Sequence, residues 1–298
     1  MILRIRESAE TGRNYLHRIQ NALTSAARFG AKTAFLGKAG MDMHGRFLKE
    51  ILEKEQIDTR GFILDERYFT TLAFVDLSPE GERTFSFARK PGADTQITEK
   101  ELDMEILGNT KIFHVGSLSL TSEPARSTTF AAIKAAKSAG AVISYDPNYR
   151  ATLWENVETA KREMKSLIPF VDIMKISDEE TELLTDEKEP EQAAKVLLEK
   201  GVKLVAVTLG KDGSYIANAK GGKRVPGFES NVVDTTGAGD AFWGTFLYKL
   251  SQSNESIEKI TLDMAAEYAR AASLCVENFG GIPSMPLLAD VEKRMKMK

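Results

Sequence analysis

The chain has one cysteine, three histidines and no long apolar run among its 298 residues. A lone thiol, Cys275, closes no disulfide within the chain, and its setting in ASLCVENFGG reads as a small buried residue, not an activated nucleophile. His17, His44 and His114 are scattered without ligand spacing, so no zinc site is expected. No stretch approaches the roughly 18 apolar residues of a membrane span. The opening MILRIRESAETGRNYLHRIQ carries neither an h-region nor a cleavage pattern, so a cytoplasmic location is expected. Excess charge is also missing. A net charge of -3 gives no electrostatic reason to bind nucleic acid or an anionic membrane, and neither is expected as a partner.

What is present is an ordinary globular composition, 42% hydrophobic and 28% charged, in a chain long enough for one large α/β domain. Short runs rich in β-branched residues read as strands: KTAFLG, KIFHVGS, AVISYDPN, DIMKIS and KLVAVTLG. Between them GRFLKEILEKEQ, PARSTTFAAIKAAKSAG, VETAKREMKSLI and EPEQAAKVLLEKG space their apolar residues three and four apart, as helices do. The alternation predicts a mainly parallel sheet with helices on both faces. One segment breaks it: TTLAFVDLSPEGERTFSFA, Thr70 to Ala88, is two alternating runs around SPEGER, a hairpin signature. A small β flap over the C-terminal edge of the main sheet is expected from it, at the edge where open α/β sheets bind ligands.

VVDTTGAGDAFWGTF, Val232 to Phe246, carries the chemistry. Gly237 and Gly239 allow a tight turn that aims several amide N–H groups one way. The spacing of Phe242, Phe246, Leu247 and Leu250 starts a helix there, so unpaired amides and the positive helix end combine into an anion site. A carboxylate beside that site, Asp240, would repel the anion unless it has a task that offsets the repulsion. Taking a proton from a hydroxyl that attacks a phosphoryl group is such a task; a plain N-terminal helix carboxylate is the alternative. No Gly-Lys-Ser/Thr follows, so this is not a Walker loop, and no G-x-G-x-x-G opens the first βα unit.

DTTGAGDAFWG closely resembles the C-terminal signature of the ribokinase-like, PfkB-type sugar kinases. AARFGAKTAFLGKAGMDMHGRFLKEIL resembles their N-terminal signature region, and FSFARKPGADTQIT, FHVGSLSL, ISYDPNYRATLW, KISDEETELLT and VTLGKDGS follow in the family's order, most like bacterial fructokinases. The resemblance, from Asn21 to Pro286, implies a three-layer α/β/α domain spanning 1–298, with residues 64–96 as a β lid. It implies ATP, Mg2+ and K+ as cofactors and a small sugar as acceptor, fructose first, with 2-keto-3-deoxygluconate as the alternative. A homodimer through the lid is the partner it implies.

By the same resemblance Asp240 is the base and Gly237, Ala238 and Gly239 form the anion hole. Thr208, Gly210 and Gly213 form the nucleotide turn, and Asn278 walls the adenine pocket. Ser177 and Glu180 stand for the N-x-x-E element that organises magnesium through water, although a helix cap with Glu at N3 gives the same letters. Asn21, Asp146, Asn148 and Arg150 line the sugar and phosphate side, with a solvated arginine as the plain alternative for Arg150. Arg89 reaches the sugar from the flap or is an exposed edge arginine. Asp234, Thr236, Gly280 and Ser284 hold a monovalent cation.

The opening residues depart from the family. Its members start with a strand carrying a substrate-binding Asp and a Gly-Gly loop; here no such strand is visible, and Leu16 and His17 stand where the glycines belong. The expected consequences are an apolar gap with unpaired strand edges, and side chains in space that glycines leave open. The pattern resumes abruptly at Ala22, which favours a truncated or frame-shifted start over a makeshift replacement. A catalytically impaired nucleotide-binding relative is therefore the competing function, against which the complete TTGAGD stands.

Overall fold

The computed structural model describes residues 2–4, 13–14, 18–77, 83–227, 230–235, 237–253, 255–269, 276–277 and 282–296. The principal sheet has six strands in the order β12-β11-β10-β9-β8-β7. Its parallel part is β7 (Ile112–Gly116), β8 (Val142–Asp146), β9 (Ile173–Ser177) and β10 (Leu204–Thr208). These are four of the five apolar runs read as strands from the sequence. An antiparallel pair, β11 (Ser214–Asn218) and β12 (Gly221–Val225), closes one side.

Apolar residues on both faces of each strand require a layer on each side. Along β10, Val205 and Val207 face one core while Leu204 and Ala206 face another. The first core is covered by α4 (Ala125–Ser138), α5 (Val157–Leu167), α6 (Asp178–Thr185) and α7 (Pro190–Glu199), through Ile133, Met164, Leu184 and Leu197. The second is covered by α8 (Ala238–Gln252) and α9 (Leu262–Ala269), where Trp243 and Phe246 stack with ring centres 4.9 Å apart. The result is the expected three-layer α/β/α arrangement. Among the described residues no helix is long and apolar enough to cross a membrane.

The N-terminal third is built differently. After α1 (Arg18–Arg28), β3 (Gly37–Gly40) and β4 (Phe62–Asp65) form a separate parallel pair on either side of α2 (Met43–Lys54). The ladder starts later than KTAFLG suggests. Phe35 is turned into a small core, edge-on to Phe62 at 5.3 Å, and only an isolated bridge, Ala34 to Asp58, precedes Gly37. The expected hairpin is present as β5 (Leu72–Leu77) and β6 (Arg83–Ala88), in register from Leu72 opposite Ala88 to Leu77 opposite Arg83. Three opening residues do form a strand, β1 (Ile2–Arg4), with β2 (Arg13–Asn14) beside it. That strand runs parallel to β5, Ile2 opposite Ala73, so it extends the flap sheet and not the principal one.

The principal sheet therefore ends at β7, and β3 stands apart. Between them lies a cavity of about 1100 Å3, lined by Gly37, Lys38 and Ala39 of β3 and by every residue of β7. This is the gap expected from the opening sequence, and two strand edges face it.

Candidate active site

The register of the principal sheet brings the chemistry to one edge. At the C-terminal ends of the strands Gly116 is opposite Asp146, and Ser177 is opposite Thr208. The N-terminus of α8 points at the same place, as the contact between Gly239 and Lys175 of β9 shows.

Gly237 caps α8 in the left-handed region, φ 82°, which a side chain would resist. The first helical hydrogen bond is Ala241 N–H to the Gly237 carbonyl at 2.8 Å, and the Ala238 amide donates to the Thr235 carbonyl at 3.3 Å, so the Gly239 and Asp240 amides follow in the first turn. Asp240 is 3% exposed in this first turn and accepts a hydrogen bond from Asn21 Nδ2 at 2.8 Å. Asn21 belongs to α1, and α1 comes this close because position 244 is glycine: a Cβ there would stand 2.3 Å from the Ala22 carbonyl oxygen. The other amide atom, Asn21 Oδ1, is buried without a partner.

Beneath Gly239 lies a residue that the sequence reading passed over. Lys175 occupies the middle of DIMKIS and is buried between Met174 and Ile176. Its ammonium pairs with Asp146 Oδ2 at 2.7 Å. Burial works against that charge, yet the negative charges of Asp146, Glu180 and Asp240 hold it above the ordinary lysine range. The signal was available: a lone cation inside an otherwise apolar strand is rarely buried unless paired. Asp146 keeps its second oxygen, Oδ1, buried and without a partner.

Ser177 and Glu180 do form a capping box at the start of α6. Glu180 accepts from Ser177 N–H at 2.9 Å and, with its other oxygen, from Tyr149 N–H at 2.7 Å. One carboxylate thus caps a helix and fixes the loop after β8, where Asn148 sits at φ 53°. Asn148 is buried, and half-buried Arg150 donates to the Tyr149 carbonyl. On β7 His114 meets Ser144 Oγ at 2.9 Å, and burial, with the Lys175 charge nearby, pushes its pKa down to about 3.

On the nucleotide side Thr208 ends β10 and donates to the Ile176 carbonyl. The turn after it runs through Gly210 to Gly213, where φ is 91° and a Cβ would stand 2.1 Å from the Val225 carbonyl. Arg89 is not an exposed edge arginine. Its side chain is 8% exposed, pairs with Asp94 at 2.6 Å, and donates to Thr121 Oγ1 and the Leu118 carbonyl, tying the hairpin to the loop after β7. It lines the large cavity together with Asn148 and Arg150. Asp234 and Ser284 are both buried, and Asp234 N–H donates to the Val276 carbonyl. Thr236, Asn278, Gly280, Cys275, Leu16 and His17 lie outside the described residues.

Residues 19–288 match the family model of pfkB family carbohydrate kinases. The chain belongs to the PfkB family. Probable fructokinase-5 of Arabidopsis thaliana is 41% identical to this kinase over 281 residues, 93% of this chain and 87% of that protein. Among solved structures, the fructokinase of Vibrio cholerae O395 in its fructose-, ADP- and calcium-bound form superposes with a TM-score of 0.89 at 30% identity, covering 98% of this chain and 94% of that one. The ATP-bound fructokinase of Xylella fastidiosa gives 0.91 at 26% identity, over 99% and 95% of the two chains. The fold is accordingly that of the ribokinase-like PfkB kinases, and the enzyme is a carbohydrate kinase, a phosphotransferase with an alcohol acceptor.

Proposed function

We propose that this kinase phosphorylates fructose, using ATP as donor. The observation that carries the reading is the buried Asp240 in the first turn of α8, oriented by Asn21 at 2.8 Å at a glycine-capped helix end. In that reading Asp240 takes the proton of the sugar hydroxyl. The freed oxygen attacks the γ-phosphorus, the bond to the bridging oxygen breaks, and ADP leaves with that electron pair. The amides of Gly239 and Asp240 at the helix end stabilise charge on the phosphoryl oxygens in transfer.

Thr208, Gly210 and Gly213 are the proposed nucleotide turn. Asn148 and Arg150 are proposed for the sugar and phosphate side, and Arg89 acts by holding the flap. The donor set fits magnesium arriving with the nucleotide: Asp146 Oδ1 is an unpartnered buried acceptor, and Glu180, like Asp146, acts on the Lys175 ammonium. When bound, the ion neutralises phosphate charge. The buried Asp234, just ahead of α8, and Ser284, next to the Met285 that packs on Ala241 of α8, fit a monovalent cation such as potassium. Residues 64–96 are proposed as a lid within a single domain, with a homodimer through that lid checked by sedimentation.

The test is ATP consumption by the purified chain with magnesium and potassium, offered fructose, 2-keto-3-deoxygluconate or ribose. Fructose-dependent ADP release is expected. Turnover with 2-keto-3-deoxygluconate alone replaces the substrate, and nucleotide binding without turnover on any sugar leaves a nucleotide-binding relative.

A further inference from the structure

A lysine in the middle of a buried strand is a poor way to gain stability. Desolvating its ammonium costs as much as pairing returns, and an apolar residue of similar volume would serve the core at least as well. Lys175 has Met174 and Ile176, both fully buried, on either side, yet its ammonium is delivered to the ligand edge of the sheet. There it meets two things at once. One is Asp146 Oδ2, at 2.7 Å. The other is the first turn of α8: a Cβ added at Gly239 would lie 3.2 Å from both Cε and Nζ of Lys175, which places the ammonium directly against this turn.

That position is electrostatically costly for the helix, because a cation under a helix N-terminus faces the positive end of the dipole. Asp146, Glu180 and Asp240 offset part of the cost. An anion bound on the α8 amides would offset the rest and would be held by dipole and ammonium together. Asp146, clamped through one oxygen, keeps the other buried and unpartnered.

We propose that Lys175 is a positioning residue for phosphoryl transfer. It pins Asp146 by one oxygen so that Oδ1 stays available as an acceptor, and it places positive charge under the α8 amides, where the transferred phosphoryl gathers negative charge. The role deepens the kinase reading and rests on it.

Lys175→Met alone leaves Asp146 buried and unpaired, so the test is made in the neutral background Asp146→Asn, with folding checked by thermal melting. Adding Lys175→Met to Asp146→Asn is expected to lower kcat by a further factor of about 100, with the ATP Kd, measured by calorimetry, staying within about threefold. In the presence of ADP, the affinity for inorganic phosphate should fall roughly tenfold in the same comparison. A lysine that only neutralises Asp146 predicts no further loss in either readout, and that result overturns the proposal. If the wild-type chain turns over no sugar the kinase reading fails instead, while the phosphate titration still decides the role of Lys175.

Discussion

The two halves of this kinase are put together on different terms. In the principal sheet, β7 to β12 are continuous, the central strands pack between two helical layers, and the residues at its C-terminal edge are fixed by register. In the N-terminal third the strands are divided between a flap sheet and the isolated pair β3–β4, and a cavity of about 1100 Å3 stands where the two halves meet. The elements proposed for phosphoryl transfer therefore rest on a filled core, whereas Arg89 of the flap is held by individual polar contacts, to Asp94 and Thr121, and Asn21 reaches Asp240 through the packing of α1 on α8. A continuous sheet positions residues by its hydrogen-bond ladder; a divided one must use side chains.

The largest expected effect probes the well-built half. Asp240→Asn should retain ATP binding and lower kcat by about a thousandfold, read in a coupled ADP assay; an unchanged rate removes the base assignment. Packing gives the next contrast. Ile143→Ala, in the filled core of β8, should cost about 2–5 kcal/mol in urea unfolding, while Leu36→Ala, on the cavity wall, should cost about 1 kcal/mol because fewer contacts are lost. Equal losses would mean that the cavity collapses in solution.

Asn21→Ala tests the link between the halves. Loss of a hydrogen bond to a carboxylate should lower kcat about tenfold or somewhat more with little change in KM. The smallest effect at neutral pH concerns His114 on the cavity edge. Its folded pKa of about 3 lies below its ordinary value of 6.5, so between those values the unfolded chain binds a proton that the folded one refuses. Stability should therefore fall as pH drops from 6.5 toward 3 and level off above 6.5. His114→Gln should flatten that slope in denaturation curves taken across the window.

What could be read in advance follows the same division. The strands β7 to β10 were legible because burial on both faces demands continuous apolar runs. The start of α8 was legible because Gly237 and Gly239 supply backbone freedom that little else needs. Ser177 and Glu180 were legible as letters but not as a choice between cap and ligand; the structure makes the cap and adds the Tyr149 contact. Lys175 was passed over because strand reading weighs its neighbours and treats one cation as noise. The placement of Ile2–Arg4 on the flap was not legible, since three residues cannot specify which open edge they join. Arg89 stays open in one dimension between the sugar and an exposed edge, because Asp94 and Thr121 become its neighbours only when the hairpin folds back.

The absence of a side chain at Gly244 has a consequence for timing. With the α1 backbone resting directly on α8, no compressible layer separates the helices, and a rigid movement of α1 arrives at α8 undamped. Asn21 ties the Asp240 carboxylate to α1 by a hydrogen bond of 2.8 Å. In the role proposed for Asp240, the carboxylate is set for proton removal only when α1 is seated on α8.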